Sequence, residues 1–162
     1  MSNTDLRGTY SEATLSMIRW EEGFRLTAYL CSEGYPTIGY GYKLSNVKSL
    51  DGFEGLVWTR EMAQEFLVCK LDKILSELDS SSANGGTFRA MSEPRKRVVL
   101  SMCYQMGVTG VFKFKNFWAH SATSEYGKAA DEMLNSRWAR QTPARAKRHA
   151  EAFRTNQDYK YG

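Results

Sequence analysis

The chain has 162 residues, of which 42% are hydrophobic and 25% charged, proportions that exclude a disordered or fibrous chain. At this length about 70% of the extended chain's surface can be buried, so one well-packed domain is expected. The formal net charge of +4 favours polyanionic partners, without choosing among nucleic acid, envelope polymers and membrane surfaces.

A first helix is predicted between Ser11, whose hydroxyl can cap it, and Gly23, which can end it in the left-handed conformation. Within it, Leu15, Ile18 and Glu22 follow the spacing i, i+3, i+7, so they share one helix face. The sequence therefore places a carboxylate on an otherwise apolar face.

A β-hairpin and a long helix are predicted next. Residues 24–42 contain the alternating FRLTAYL, the turn sequence SEGYP and the glycine-rich strand TIGYGY. Residues 43–58 are irregular, and Thr59 can cap a helix of about 20 residues. The apolar positions of that helix are Met62, Phe66, Leu67, Leu71, Ile74, Leu75 and Leu78.

The second half of the chain is predicted to be helical. The sequence SSSANGG at 80–86 is typical of a loop. Further helices are predicted over 92–107, near 111–119, near 125–135 and from Thr142 onwards. One helix, a small sheet and then several helices together indicate an α+β fold that is mainly α.

Glu21 and Glu22 lie in the last turn of the first predicted helix, where the helix macrodipole disfavours carboxylates by about 0.3–1 kcal/mol each. Partial burial, the helix C-terminus and the neighbouring charge of Glu21 all favour a raised pKa for Glu22. A carboxylic acid protonated near neutral pH is what a general acid needs to protonate a glycosidic oxygen. The alternative is a helix-end glutamate held in a salt bridge.

Two residues of the predicted hairpin, Cys31 and Thr37, follow Glu22 in the sequence. Eight residues separate Glu22 from Cys31, and five separate Cys31 from Thr37. A tight turn would bring Cys31 and Thr37 together on one lip of a groove. Taken alone, a cysteine beside a turn is more often a small apolar filler than a reactive group.

The stretch RWEEGFRLTAYLCSEGYPTIGYGY resembles the active-site segment of the phage lysozymes of glycoside hydrolase family 24. The pattern of that segment is glutamate, eight residues, aspartate or cysteine, five residues, threonine. Two later stretches are also similar to this family: YQMGVTGVFKFKNF at 104–117, and SRWARQTPARAKR with AFRT within 136–155. The resemblance covers nearly the whole chain after its first residues.

The resemblance implies a single lysozyme domain, residues 1–162, with a lysozyme-like two-lobe fold. A small lobe with the hairpin, residues 11–58, would be joined by a connecting helix, residues 59–81, to a helical lobe, residues 82–162. Residues 1–10 would form an N-terminal extension. The glycan cleft would lie between the lobes, with Glu22 as the general acid.

The resemblance also implies roles in the cleft. The matching substrate-binding positions are Lys43, Tyr104, Gln105, Phe117 and Glu132. Tyr104 and Phe117 can offer apolar faces to sugar rings, with ordinary core packing as the alternative, and Gln105 can bond hydroxyl or N-acetyl groups. A supporting arginine near the acid matches Arg145, whose charge would oppose a raised pKa of Glu22.

Cys31 stands where most of the family has aspartate. A thiol with an ordinary pKa of about 8.5 is only a few per cent ionised at pH 7, so two roles stay open. Cys31 is either a thiolate nucleophile or, together with Thr37, the holder of an attacking water, and we favour the water. Tyr42 stands where many relatives have histidine, so we expect a local difference in stability and no loss of activity.

The resemblance thus implies an endolysin, a muramidase that hydrolyses the β-1,4 bond between N-acetylmuramic acid and N-acetylglucosamine and so causes host cell lysis. The alternative is a non-catalytic peptidoglycan-binding module of a phage particle. The expected partner is the glycan strand of peptidoglycan. Binding to nucleic acid would require cations clustered with exposed aromatic residues and is not expected. The protein is expected to be a monomer.

No segment reaches the about 20 apolar residues that span a bilayer, and MSNTDLRGTYSE lacks the order of a signal peptide. We therefore expect synthesis in the host cytoplasm, no stable membrane insertion, and release to the wall through a holin-type lesion, as the resemblance implies. The three cysteines favour reduced thiols. The sequence shows no metal-ligand cluster or phosphate-binding loop, so no metal and no cofactor is expected.

Overall fold

The computed structural model describes residues 10–161, so the predicted N-terminal extension falls outside it except for its last residue. The described chain forms two compact units, residues 10–72 and residues 73–161. The first unit holds one helix, a three-stranded sheet and most of a long second helix, whereas the second is helical. The prediction of an α+β fold that is mainly α is confirmed.

The first unit begins with α1 (Glu12–Glu22), which is capped as predicted. The Ser11 side chain accepts a hydrogen bond from the Thr14 N–H, satisfying one of the free donors of the first turn. Gly23 ends the helix with φ 69° but with an extended ψ of 166°. The predicted left-handed helical conformation at Gly23 is therefore wrong, although the need for a positive φ is real.

The sheet is a small antiparallel one in the order β1-β2-β3. Its strands are β1 (Arg25–Leu30), β2 (Pro36–Gly39) and β3 (Tyr42–Lys43). The central strand β2 is buried throughout. The predicted single strand TIGYGY is broken because Gly39 and Gly41 both have φ 64°, which turns the chain back into β3.

The long helix α2 (Arg60–Ser80) follows the predicted cap at Thr59, whose Oγ1 accepts a hydrogen bond from the Met62 N–H at 3.1 Å. Its residues contribute to both units, which divide at Asp72 and Lys73. In the first unit its Leu67 and Leu71 are fully buried, as are Ile18 and Ile38. These side chains form the core on which α1 and the sheet are fixed.

The second unit continues with seven helices among its described residues. They are α3 (Gly85–Arg89), α4 (Glu93–Met106), α5 (Val108–Phe112), α6 (Lys115–Ala122), α7 (Tyr126–Leu134), α8 (Arg137–Gln141) and α9 (Pro143–Thr155). The predicted helices from Ser92 and from Thr142 are confirmed, because α4 and α9 begin directly after those residues. The predicted loop at 80–86 is too long, since α3 already begins at Gly85, and α8 was not predicted.

Ala146, Ala150 and Phe153 of α9 are buried as predicted, and α9 packs on α7 and α4. Phe117 and Phe153 lie 5.1 Å apart between ring centroids. None of the helices within residues 10–161 combines the length and the apolar character that crossing a bilayer requires.

Candidate active site

Glu22 is the last residue of α1 and is half-buried. Its carboxyl group lies against the backbone of Gly41, in the turn between β2 and β3. A Cβ atom built on Gly41 would lie 2.6 Å from Glu22 Oε2 and 3.2 Å from its Cδ. The end of α1 and the β2–β3 turn together place a carboxyl group beside the sheet.

Cys31 and Thr37 meet at the other end of the hairpin. The Cys31 N–H donates to the Tyr35 carbonyl at 2.9 Å and the Gly34 N–H donates to the Cys31 carbonyl at 2.8 Å, closing a tight turn. Leu30 pairs with Pro36 across this turn, so Thr37 lies one position further into β2. The predicted turn is present, and it brings the Thr37 side chain close enough to Cys31 to lower the pKa of the thiol. The Thr37 Oγ1 itself donates to the Tyr35 carbonyl at 3.0 Å.

The turn also changes the acidity of Cys31. Partial burial disfavours the charged thiolate, but hydrogen bonds from the backbone at Tyr35, Glu33 and Gly34 and from the Thr37 side chain outweigh it. The pKa of the Cys31 thiol is therefore lower than its ordinary value. The donors that lower it are neutral, so the thiolate would be held by hydrogen bonds.

Tyr29, which was not singled out from the sequence, is affected by the charges of both Glu22 and Cys31. Burial raises the pKa of its hydroxyl, the charge of Arg25 lowers it, and the charges of Glu22 and Cys31 raise it further. Arg25 also lies over the Tyr29 ring, 4.8 Å from its centroid. Both acidic groups are therefore close enough to act on one phenol. The sequence signal that could have linked Arg25 and Tyr29 was the alternating pattern of FRLTAYL, in which they stand four positions apart.

Lys43 is exposed in β3 and is paired in register with Thr37. Its Nζ lies 4.3 Å from the centroid of the Tyr35 ring, and Lys48 Nζ lies 5.2 Å from the same ring. The structure thus places this predicted substrate-binding residue one strand away from the Cys31–Thr37 pair.

Tyr42, at which a local difference in stability is expected, joins an aromatic cluster. Its ring lies 5.5 Å from Trp58 and 5.1 Å from Phe66, and the latter two stack at 4.1 Å between centroids. Aromatic packing of this kind contributes about 0.5–1.5 kcal/mol per pair beyond buried area. Tyr42 therefore contributes packing energy to this cluster.

The remaining predicted residues lie in the helical unit. Tyr104 is 2% exposed and Phe117 is fully buried, so in this structure both have the alternative role of core packing. Phe117 is also among the residues that line a cavity of this unit. The Oε1 of Gln105, which is partly exposed, accepts a hydrogen bond from Trp138 Nε1 at 2.8 Å.

A cavity of about 500 Å³ lies in the same unit. Its lining includes the half-buried Glu132 and three exposed cations, Lys113, Lys115 and Arg137. Among residues 10–161 there is no group of three His, Cys, Asp or Glu side chains that could hold a metal ion. The charges of the cavity favour a ligand that carries negative groups.

Arg145 is buried within α9 and is bonded to Ser101 of α4. Its Nη2 donates to the Ser101 carbonyl at 3.2 Å and to the Ser101 Oγ at 2.9 Å. The same Oγ lies 2.7 Å from Nε2 of His149, which is fully buried. Arg145 was predicted from the sequence, whereas Ser101, which binds its guanidinium group, and His149, which binds the same hydroxyl, were not.

Residues 19–151 match the phage lysozyme family model. The chain belongs to the phage lysozyme family. As a lysozyme it is a glycoside hydrolase, and the matched range includes Glu22, Cys31, Thr37 and Arg145.

Three proteins illustrate the range of this family. Probable T4-type lysozyme 1 of Dictyostelium discoideum is 26% identical over 149 residues, which are 82% of this chain and 88% of that protein. Probable T4-type lysozyme 2 of the same organism is 26% identical over 156 residues, 86% of this chain and 92% of that protein. The pre-baseplate central spike protein Gp5 of Enterobacteria phage T4 is 30% identical over 163 residues, covering 90% of this chain but 28% of that protein.

Proposed function

We propose that this lysozyme is an endolysin that hydrolyses the β-1,4 bond between N-acetylmuramic acid and N-acetylglucosamine in bacterial peptidoglycan and so lyses the host cell. Family membership supports the class of reaction. The observation that carries the assignment of residues is the turn that places Cys31, a thiol of lowered pKa, beside the Thr37 side chain in the unit that also holds Glu22.

Glu22 is the general acid of the proposed reaction. Its carboxyl proton moves to the glycosidic oxygen while the bond between that oxygen and the anomeric carbon breaks. Cys31 and Thr37 hold the water that attacks the anomeric carbon, and the Cys31 thiolate takes one of its protons. The lowered pKa of Cys31 supports this step, because it increases the thiolate fraction at neutral pH.

Lys43, Gln105 and Glu132 are proposed to bind the substrate through exposed or partly exposed polar groups. Tyr104 and Phe117 are proposed to act indirectly, since they are buried and support the surfaces beside them. Arg145 is proposed as the supporting cation of the acid, held in place by Ser101.

The test compares the parent with Glu22→Gln in a turbidity assay on purified peptidoglycan. General acid catalysis contributes about 100-fold or more, so we expect at least that loss for the amide variant. Glu65→Gln, at an exposed position of α2, is the matched control and should clear the substrate at the parental rate. Undiminished clearing by Glu22→Gln would overturn the assignment.

The role of Cys31 is tested separately by mass spectrometry of the enzyme quenched during turnover. A water held by Cys31 and Thr37 leaves the enzyme mass unchanged. A sugar attached through sulfur at Cys31 would show the thiolate to be the nucleophile, and the proposed water would then be wrong.

A second candidate is a non-catalytic peptidoglycan-binding module of a phage particle. It is favoured by the 30% identity to a protein whose name places it in a baseplate spike. Such a module would sediment with purified sacculi without releasing soluble fragments. Release of fragments by the parent would exclude this candidate.

Two further proposals concern the setting of the enzyme. It is made in the host cytoplasm and reaches the wall after holin-type release, so cells expressing it alone should stay intact until a membrane lesion is introduced. It acts as a monomer, which light scattering coupled to size exclusion should report as a mass near 18.5 kDa.

A further inference from the structure

We propose that Gly41 is a positioning residue for Glu22, because the absence of its side chain leaves the space that the Glu22 carboxyl group occupies. The inference on geometry is independent of the reaction. Its catalytic consequence rests on the proposed role of Glu22 as general acid.

A side chain at position 41 would collide with the end of the Glu22 side chain. A Cβ built on Gly41 would lie 2.6 Å from Glu22 Oε2, 3.2 Å from Cδ and 3.5 Å from the Glu22 Cβ. A Cβ within 3.0 Å of another heavy atom requires one of the two to move. The atoms that would have to move belong to the reacting end of the Glu22 side chain.

Backbone conformation alone does not explain this glycine. Gly52 and Gly55, in the same unit, also have positive φ values of 89° and 80°, and a Cβ on either would meet no atom within 4 Å. Gly39 has the same φ as Gly41, 64°, but its Cβ would strike Trp58 and Ala63 in the core. Among the described glycines, Gly41 is the one whose Cβ would meet a carboxylate.

A second observation places the carboxyl group toward the hairpin. The charge of Glu22 contributes to the raised pKa of Tyr29 on β1. Glu22 has three side-chain torsions and sits at a helix end, so it can adopt several rotamers if nothing confines it. Because Gly41 has no side chain, the Glu22 carboxyl group can lie close to its backbone. A methyl group on Gly41 would displace the carboxyl group from this position.

The first test compares Gly41→Ala with Gly55→Ala. Both variants force alanine into a positive φ and share that strain, but only the first introduces a contact with Glu22. We expect Gly55→Ala to keep the parental kcat on peptidoglycan. Gly41→Ala should lose kcat by roughly 100-fold with little change in KM, because a misplacement of about 1 Å at a reacting group costs this much.

The second test is a stability cycle that needs no activity. Gly41→Ala and Gly55→Ala are each made in the parent and in Glu22→Ala, which keeps only the Cβ at 3.5 Å, an ordinary contact. In the parent, Gly41→Ala should lower Tm more than Gly55→Ala does. In the Glu22→Ala background the two losses should become equal, and folding should be restored if Gly41→Ala alone does not fold.

The inference is overturned if the two alanine variants lose the same Tm in the parent, or if the excess loss of Gly41→Ala persists when Glu22 is alanine. It is also overturned if Gly41→Ala folds and retains parental kcat. If the parent itself releases no fragments, the proposed function fails, whereas the stability cycle still decides the role of Gly41.

Discussion

Two buried serines of the helical unit should respond in opposite ways to the same substitution. Ser101 in α4 is fully buried, and its Oγ is bonded to Arg145 at 2.9 Å and to His149 at 2.7 Å. Ser121 in α6 is 3% exposed, and its Oγ has no hydrogen-bond partner among the described residues. Alanine removes a bonded hydroxyl in one case and an unbonded one in the other.

The magnitude follows from the bonds that are lost. Ser101→Ala removes one hydrogen bond to a charged group, about 1.5–3 kcal/mol, and one to the imidazole, about 0.5–1.5 kcal/mol. The free energy of unfolding should fall by about 2–4.5 kcal/mol, less a few tenths gained from alanine's helix propensity. Ser121→Ala has the same propensity gain and removes a buried unsatisfied hydroxyl, so its stability should be unchanged or higher.

Thermal unfolding followed by circular dichroism measures both. For a chain of this size each kcal/mol shifts Tm by about 2–4 °C, so Ser101→Ala should unfold about 3–17 °C lower and Ser121→Ala at or above the parental Tm. Equal shifts in the two variants would refute the role assigned to the Ser101 hydrogen bonds.

Three further predictions concern titrating groups. Thr37→Val removes a polar side chain that lowers the pKa of the Cys31 thiol, so the midpoint pH for alkylation of Cys31 should rise. An unchanged midpoint in a pH series of iodoacetamide rates would count against the pair. Burial raises the pKa of Cys103, so this thiol should react with a disulfide reagent only after unfolding in guanidinium, and reaction in the folded protein would contradict its placement. Lys128 and neighbouring groups lower the pKa of the Glu125 carboxyl to about 2. The stabilising effect of the carboxylate is therefore present above the ordinary carboxyl range and is lost as pH falls through about 2. The Tm difference between the parent and Glu125→Gln should vanish at that pH, and a difference that grows toward low pH would contradict the lowered pKa.

Much of the fold was predictable because its boundaries are local. Ser11 and Thr59 use their side chains to cap the helices that follow them, and Gly107 ends α4, all signals contained within a few residues. The short helix α8 was missed because five residues carry too little periodicity to be distinguished from a loop. The strand TIGYGY was predicted as continuous because the turn at Gly39 depends on its positive φ, which glycine permits but the sequence does not specify.

The site was predictable to the extent that it is compact along the chain. Cys31 and Thr37 are separated by a turn, and the sequence SEGYP indicated that turn. Ser101 and His149 are 48 positions apart in sequence, so nothing local indicates that one hydroxyl holds both the imidazole and the guanidinium of Arg145. The burial of Phe117 likewise depends on Phe153 of a distant helix, and a sequence resemblance carries no information about such packing.

The measurement that most directly tests the central claim is the chemistry of the new ends in digested peptidoglycan. Fragments released by the parent enzyme are reduced with borohydride and analysed by mass spectrometry. A muramidase that adds water yields reduced N-acetylmuramic acid at every new reducing end. Reduced N-acetylglucosamine, anhydro-muramic ends or peptides freed from intact glycan would each contradict the account.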